Sequence, residues 1–600
     1  MRPAPCLPPD CFALLDDARS PAWLYTGLLA CIECRSTDAL SGFFEQLEQA
    51  LAAGQHAVGL FSYELGTAMQ GIAARPDQAP VLASMLLFSH CERLTAVEAW
   101  LTQHASGAPS GVAQLSPGMD EASFCQAVES IQCYIEAGDT YQANLTFPLH
   151  LQAYGDPLAL YATLRARQPV PYGALIKMPN AQHILSLSPE LFVKCEQGRL
   201  TAKPMKGTAE ASKDPDENQR RAQTLAANPK ERAENLMIVD LLRNDLGQIA
   251  VTGSVQVPAL FEVERFGNVL QMTSSISAQR RPGLNLLQTF KALYPCGSIT
   301  GAPKRRTMQI LRELEATPRG LYTGAIGCFE ANTDFTLSVP IRTLVLEPPA
   351  KNGLRSGVMG IGAGIVHDSQ PQAEYAECLL KARFLSTQPA DFALFETMQG
   401  NRRAGIPYLE HHLARLAASA AFFGFNCSPE QLRAKLSATC AGWPDDHSYR
   451  VRLSLQQSGE FSIESAALTP LTLPVSLLLA GPVMQSDDLF LRHKTTLRAH
   501  YDAGWRAAEA QGAFDALFFN ERDELTEGGR STVFVKLKGQ WLTPPLTAGI
   551  LPGVMRSLLL ADPQLDAREQ TLQRADLLNA EQIMVCNALR GALPAQLLRH

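Results

Sequence analysis

Apolar and polar positions alternate with different periods along this chain, and the changes of period mark its elements. Residues 1–115 mix short apolar segments with loops, and Gly59-Leu-Phe-Ser-Tyr-Glu-Leu-Gly66 reads as a strand running into a turn. The Gly-, Ser- and Pro-rich stretch from Gly107 to Gly118 reads as a connection. A helical pattern begins at Glu121 and runs to about Ala137, ending at Gly138. Between 170 and 365, strand-like runs alternate with long helices. Asn228-Pro229 offers a capping side chain and then proline in the first turn, which predicts a helix through Leu242. Ser369 to Leu385 predicts another. The short, polar Ser386-Thr-Gln-Pro-Ala-Asp391 follows, and a fresh strand opens at Phe392. The expected division is therefore an N-terminal region 1–115, a domain 116–385, a linker 386–391 and a second domain 392–600.

Length and composition fit that division. A chain of 600 residues exceeds what one hydrophobic core usually serves, and 46% apolar with 18% charged residues suits folded domains. The net charge of −7 comes without a basic stripe, which argues against nucleic acid as a partner. No apolar run is long enough to cross a bilayer. Met1 to Asp10 carries four prolines and no sustained apolar core, unlike a signal peptide. Cys31 and Cys34 form a C-x-x-C pair, but no second pair follows at zinc-site spacing. The fourteen cysteines read as reduced thiols of a cytoplasmic protein.

Candidate chemistry in the first half begins with carboxylates. Glu231 and Glu234 lie on one predicted helix, Glu374 and Glu377 on another, each pair three residues apart and so on one helix face. Spacing alone favours two solvated acidic faces. Brought together, the same faces would make an oxygen-rich site of the kind magnesium accepts. Gly297-Ser-Ile-Thr-Gly-Ala-Pro-Lys304 leads into a helix beginning near Pro303, whose free N–H groups suit a carboxylate. Gly360-Ile-Gly-Ala-Gly364 could expose successive N–H groups as an anion nest. Arg342, in the strand-like Val-Pro-Ile-Arg-Thr, could grip a carboxylate with two hydrogen bonds.

The ordered blocks Leu-Ser-Leu-Ser-Pro-Glu190, Pro-Met-Lys-Gly-Thr208, Ala-Glu-Asn-Leu-Met-Ile-Val-Asp-Leu-Leu-Arg-Asn-Asp-Leu246, Gly-Ser-Ile-Thr-Gly-Ala-Pro-Lys304, Ile-Arg-Thr343, Gly-Ala-Gly-Ile-Val366 and Ala-Glu-Cys-Leu-Leu-Lys-Ala-Arg383 resemble the chorismate-utilising enzymes over roughly residues 120–385. The resemblance implies layered antiparallel sheets with outer helices. It implies Glu234 and Glu377 as magnesium ligands, with Glu231 and Glu374 behind them. Thr300, Tyr322, Arg342, Lys381 and the backbone at Gly362, Ala363 and Gly364 would hold the carboxylates of chorismate. Glu190 resembles the family's general acid. Lys206 selects the subfamily: aminodeoxychorismate synthases resemble Pro-Ile-Lys-Gly-Thr here, whereas anthranilate synthases resemble Pro-Ile-Ala-Gly-Thr. The implied reaction is attack by the neutral Lys206 amine on C2 of chorismate, then entry of ammonia at C4. Gln271 stands where many members have histidine. No glutaminase constellation is evident, so the resemblance implies a separate glutamine amidotransferase subunit as the ammonia donor. Residues 1–115 resemble the family's variable N-terminal region.

The second half carries Phe395-Glu-Thr, Leu409-Glu-His-His-Leu-Ala-Arg-Leu416, Leu491-Arg-His-Lys-Thr-Thr-Leu497, Asp523-Glu-Leu-Thr-Glu-Gly-Gly-Arg-Ser-Thr532, Gly549-Ile-Leu-Pro-Gly-Val-Met-Arg556 and Met584-Val-Cys-Asn-Ala-Leu-Arg590. A pyridoxal-phosphate site needs a lysine, an acid, a phosphate cradle and an arginine, and this set can supply all four. In order, these segments resemble the fold-type IV enzymes, a two-subdomain α/β class of aminotransferases and aminodeoxychorismate lyase. The resemblance implies Lys494 as the lysine that joins the cofactor and Glu527 as the partner of the pyridine nitrogen. Arg415, Val554, Met555, Asn587 and Ala588 would cradle the phosphate. It also implies a homodimer through this half. The half starts almost at Phe-Glu-Thr, without the strand and turn that usually precede it.

Together the halves imply synthesis of 4-aminobenzoate from chorismate, for folate biosynthesis. The rivals are a second half that transaminates amino acids, and a scaffold whose sites have decayed.

Overall fold

The computed structural model describes residues 10–18, 20–73, 81–212, 214–266, 269–386 and 392–598. The chain divides into two compact units, Met1–Pro348 with Arg355–Gln388, and Pro349–Leu354 with Pro389–His600. All but the first residue of the expected linker 386–391, and all but the last of Met1 to Asp10, lie outside the described residues.

Among the described residues of the first unit, eighteen strands join into one hydrogen-bonded network whose pairings are antiparallel. Strands from within 1–115, such as Ser20–Cys34 and His56–Phe61, belong to this same network. Its longest unbroken ladder sets Arg355–Ile365 against Gln142–Tyr154, from Arg355 opposite Ala153 to Ile365 opposite Ala143. Helices Glu121–Glu136 and Pro371–Ser386 pack on that ladder. The first is capped by Asp120, which accepts from Ser123 N, and buries Phe124, Ala127, Val128 and Ile131 at helical spacing. Helix Pro229–Gly247 is capped as expected by Asn228, which accepts from Lys230 N and Glu231 N. It packs on strands Met205–Glu210 and Val269–Gln279, which sets its acidic turn beside Lys206.

Four local expectations are corrected. After strand His56–Phe61 the chain enters helix Tyr63–Met69 rather than a turn, because Ser62 caps it by accepting from Leu65 N. The stretch Gly107–Gly118 holds strand Gly111–Pro117, paired with Gln142–Tyr154. Gly360–Gly364 is no nest: it continues strand Arg355–Ile365, and an extended strand turns successive N–H groups to opposite edges. Arg342 lies outside any strand, at φ +52.

The second unit holds a three-stranded antiparallel sheet, Leu394–Gly400, Tyr449–Leu455 and Phe461–Ala467, and a mixed eight-stranded sheet. Helix Leu409–Phe423 packs on Leu394–Gly400. The free edge of that strand meets the Lys494 segment: Phe395 N donates to Lys494 O at 3.0 Å and Thr496 N to Ala393 O at 3.0 Å. Those backbone bonds occupy part of that edge, and they fix where Lys494 stands.

Candidate active sites

Three elements of the first unit bring a charged cluster together. Lys206 reaches from its strand to Glu234, Nζ to Oε2 2.9 Å. Its Nζ lies 3.2 Å, and Gln142 Nε2 2.6 Å, from where a Cβ on Gly364 would stand, so a side chain there would push both aside. Glu231, one turn from Glu234, sits 2.8 Å from where a Cβ on Gly207 would stand. Burial pushes the Glu231 carboxyl up, and the like charge of Glu234 adds to this. On helix Pro371–Ser386, Glu377 pairs with Lys381 at 3.0 Å, and Lys381 also donates to Gly362 O at 2.9 Å. Burial acts against the Glu377 charge, but Lys381 and Lys206 outweigh it and hold this carboxyl below its ordinary value. Glu374 accepts from Ser369 Oγ at 2.8 Å.

Among the described residues, no three His, Cys, Asp or Glu side chains converge to hold a metal ion by themselves. The donor set still fits magnesium, which takes one or two protein carboxylates and fills its octahedron with water and substrate oxygens. Glu234 and Glu377 each already hold one cation, a lysine ammonium.

Glu190 is buried, and its Oε1 accepts from Ser298 Oγ at 2.6 Å. Burial pushes its carboxyl up to about 7, against the Ser298 bond, which pulls it down. The Tyr322 ring lies on Gly360, 2.1 Å from where a Cβ would stand, and burial raises its phenol. One expected substrate contact is engaged elsewhere. Thr300 is fully buried and its hydroxyl donates to Gly297 O at 3.1 Å, so it has no proton free for a carboxylate. Arg342 donates to Gln168 Oε1 at 3.3 Å, and burial lowers its pKa. Gln271 donates weakly to Thr208 Oγ1 at 3.5 Å, while its buried Oε1 has no partner.

In the second unit Lys494, Arg415, Glu527, Val554, Met555, Asn587 and Ala588 all line one cavity of about 360 Å³. Burial, with Arg415 and Arg498 nearby, lowers the Lys494 amine to about 7. Its Nζ stands 4.7 Å from the centre of the Phe395 ring. Glu527 accepts from Tyr501 Oη at 2.8 Å and from Leu551 N at 3.1 Å, and burial raises it to about 7. Helix Val554–Leu560 points its N-terminus at the cavity, with Val554 and Met555 in its first turn. A phosphate there would meet the N–H groups of the first turn, with Arg415 also lining the cavity. The donor set therefore fits pyridoxal phosphate.

Arg415 is held from behind. Glu396 accepts from its Nε at 2.9 Å and its Nη2 at 2.6 Å, and from His412 Nδ1 at 2.7 Å. Burial opposes the Glu396 charge, but Arg415 and His412 prevail and bring it down to about 2. A depressed carboxyl stabilises the fold fully above about pH 4.5, its unfolded value, and progressively less as pH falls toward 2. Glu396→Gln should therefore destabilise the second half by about 3–5 kcal/mol at neutral pH. It should also flatten the acid limb of urea unfolding midpoints measured between pH 2 and 5, and an unchanged midpoint at pH 7 would count against this pair.

Sequence reasoning missed Ser298, Glu396 and Tyr501. Ser298 sits inside the quoted Gly-Ser-Ile-Thr-Gly block and Glu396 inside Phe-Glu-Thr, so both lay within recognised motifs without a role. Tyr501 gave no such signal.

The antiparallel architecture and the acid–lysine cluster are those of a chorismate-handling enzyme, and residues 24–387 match the model of the chorismate binding enzyme family, to which this chain belongs. Residues 393–598 match the class IV amino-transferase family. Anthranilate synthase component 1 1 of Haloarcula marismortui is 41% identical over 263 residues, 44% of this chain and 52% of that protein. Aminodeoxychorismate synthase component 1 of Escherichia coli is 36% identical over 353 residues, 55% of this chain and 76% of that protein. The chain thus spans about half the length of the first and three quarters of the second. The crystal structure of anthranilate synthase component I from Streptococcus pneumoniae TIGR4 superposes with a TM-score of 0.50 at 26% identity, covering 62% of this chain and 89% of that one. No helix among the described residues is long and apolar enough to cross a membrane.

Proposed function

We propose that this chain makes 4-aminobenzoate from chorismate in two steps, amination in the first unit and loss of pyruvate in the second. The observation that carries the reading is the pair of lysines. Lys206 stands in the carboxylate cluster over Gly364, and Lys494 stands in a separate cavity with Glu527 and Arg415.

In the first unit Glu190 gives its proton to the departing C4 hydroxyl, which leaves as water. The Lys206 amine bonds to C2 as that C–O bond breaks. Ammonia then bonds to C4, the two ring double bonds shift back and the Lys206 amine is expelled. Magnesium, when bound at Glu234 and Glu377, would neutralise and orient the ring carboxylate. Ammonia comes from a separate glutamine amidotransferase subunit in this reading.

In the second unit pyridoxal phosphate, when bound, supplies an electron sink for the substrate amine. Lys494 is the group placed to take the ring proton lost as pyruvate departs, after which the ring is aromatic. Glu527 would face the pyridine nitrogen, and Arg415 with the helix N-terminus would hold the phosphate. Folate biosynthesis in the cytoplasm and a homodimer through this half belong to the same reading.

The test is one reaction: the full chain with chorismate, magnesium and an ammonium salt, with and without pyridoxal phosphate. Formation of 4-aminobenzoate and pyruvate only with the cofactor supports the reading. Conversion of a 2-oxo acid to an amino acid, without pyruvate, would establish the transaminase instead.

Glu190 sets a pH dependence for the first step. Its acid form prevails below about pH 7 and is lost above it. Chorismate consumption should therefore fall as pH rises through 7, with Glu190→Gln lowering it about 10²-fold or more at pH 6.5. A rate that stays flat from pH 6 to 8.5 in the unaltered chain would remove Glu190 as the acid.

A further inference from the structure

The cavity around Lys494 holds two cations that the proposed reaction has not used. Arg450 and Arg452 stand two residues apart on strand Tyr449–Leu455 and so share one face. Opposite them on Leu394–Gly400 are Gln399 and Thr397. This face forms a wall of the cavity. The Arg452 guanidinium sits 4.3 Å from the centre of the Phe395 ring, the same ring that Lys494 Nζ approaches to 4.7 Å. Arg452 is half-buried and Arg450 is exposed, so the two run from the interior toward the rim.

Other arginines of this cavity are committed. Arg415 is paired with Glu396, Arg498 with Asp502, and Arg556 with Glu569, while Arg530 donates to Phe514 O. The side chains of Arg450 and Arg452 have neither a hydrogen bond nor an acidic partner among the described residues. A half-buried guanidinium without an anion loses hydration that a ring contact replaces only in part, and its planar fork matches a carboxylate. Two such groups at different depths match an anion with two separated carboxylates.

We propose that Arg450 and Arg452 are the specificity-determining pair of the second site, Arg452 receiving the inner carboxylate and Arg450 the outer carboxylate of a ring diacid. This rests on the reading that the second unit acts on an aminated cyclohexadiene carrying a ring carboxylate and an enolpyruvyl carboxylate. An amino acid with one carboxylate leaves a guanidinium unmatched, so the pair also disfavours transamination of apolar amino acids.

The test compares two probes on the cofactor-loaded full chain by calorimetry: 3-(carboxymethoxy)benzoate, a diacid, and 3-methoxybenzoate, its single-carboxylate counterpart. The unaltered chain should bind the diacid at least about tenfold more tightly, the scale of one charge-assisted contact. Arg452→Met keeps the aliphatic contact with Phe395, and Arg450→Gln alters only the exposed rim. Each should weaken the diacid about tenfold, so that the diacid no longer outbinds the monoacid measured on the unaltered chain, and leave the cofactor's absorption spectrum unchanged. Equal affinity for the two probes in the unaltered chain overturns the proposal, as does a diacid affinity that neither variant changes. If Arg452→Met does not fold, Arg450→Gln decides alone. Pyruvate release by the unaltered chain is scored separately. Its absence removes the lyase reading, whereas a diacid preference lost in Arg450→Gln still establishes the pair.

Discussion

Lys494→Ala should consume chorismate at the unaltered rate and release pyruvate about 10³-fold more slowly, so that the aminated intermediate accumulates. Lys494 has two duties in one place, joining the cofactor and carrying the ring proton, and alanine removes both. The cavity that surrounds it belongs to the second unit alone, so the first step should be untouched. Chromatography of the products separates intermediate from 4-aminobenzoate, and pyruvate release above a tenth of the unaltered rate would discard Lys494 as the working amine. The same residue predicts how the cofactor-free chain takes up pyridoxal phosphate. Only the neutral amine attacks an aldehyde, and burial lowers the Lys494 amine to about 7. The capture rate, followed by absorbance, should rise from pH 6 to about 8 and then level. A rate still climbing at pH 10 would mean an ordinary, solvated lysine.

Lys206→Ala should have the complementary effect. Amination should fall by about 10³-fold, because the group that bonds to C2 is gone. The aminated intermediate supplied directly should still yield pyruvate at the unaltered rate. Lys206→Ala also strips the cation from Glu234, which leaves Glu231, Glu234 and Glu377 with less compensation. Lys206→Met, nearer in length, separates loss of the amine from loss of packing, and both should be equally inactive. Amination by Lys206→Met at even a tenth of the unaltered rate would exclude the covalent route.

Helix ends were legible because they are local. Glu121, Asn228 and Pro303 mark three of them, each set by the few residues around it. The misread segments depended on partners elsewhere. Gly360–Gly364 carries a nest-like composition, but Gln142–Tyr154 pairs with it and draws it into a strand. Thr300 has the right side chain for a carboxylate, yet its hydroxyl donates to Gly297 O. Neither competitor is visible from residue type.

What the sequence determined by itself was the inventory: two halves, their order, a lysine with carboxylates in the first, and a lysine with an acid and an arginine in the second. Residue identity settles which chemistry is available, and motif order settles which elements carry it. The tertiary structure alone decided the state of each group. Burial puts Glu190, Lys494 and Glu527 near 7, Glu396 holds Arg415, and among the described residues no acid pairs with Arg450 or Arg452. The reason is physical: proton affinity and pairing depend on the water and charge within a few ångströms, and residues distant in sequence supply those surroundings.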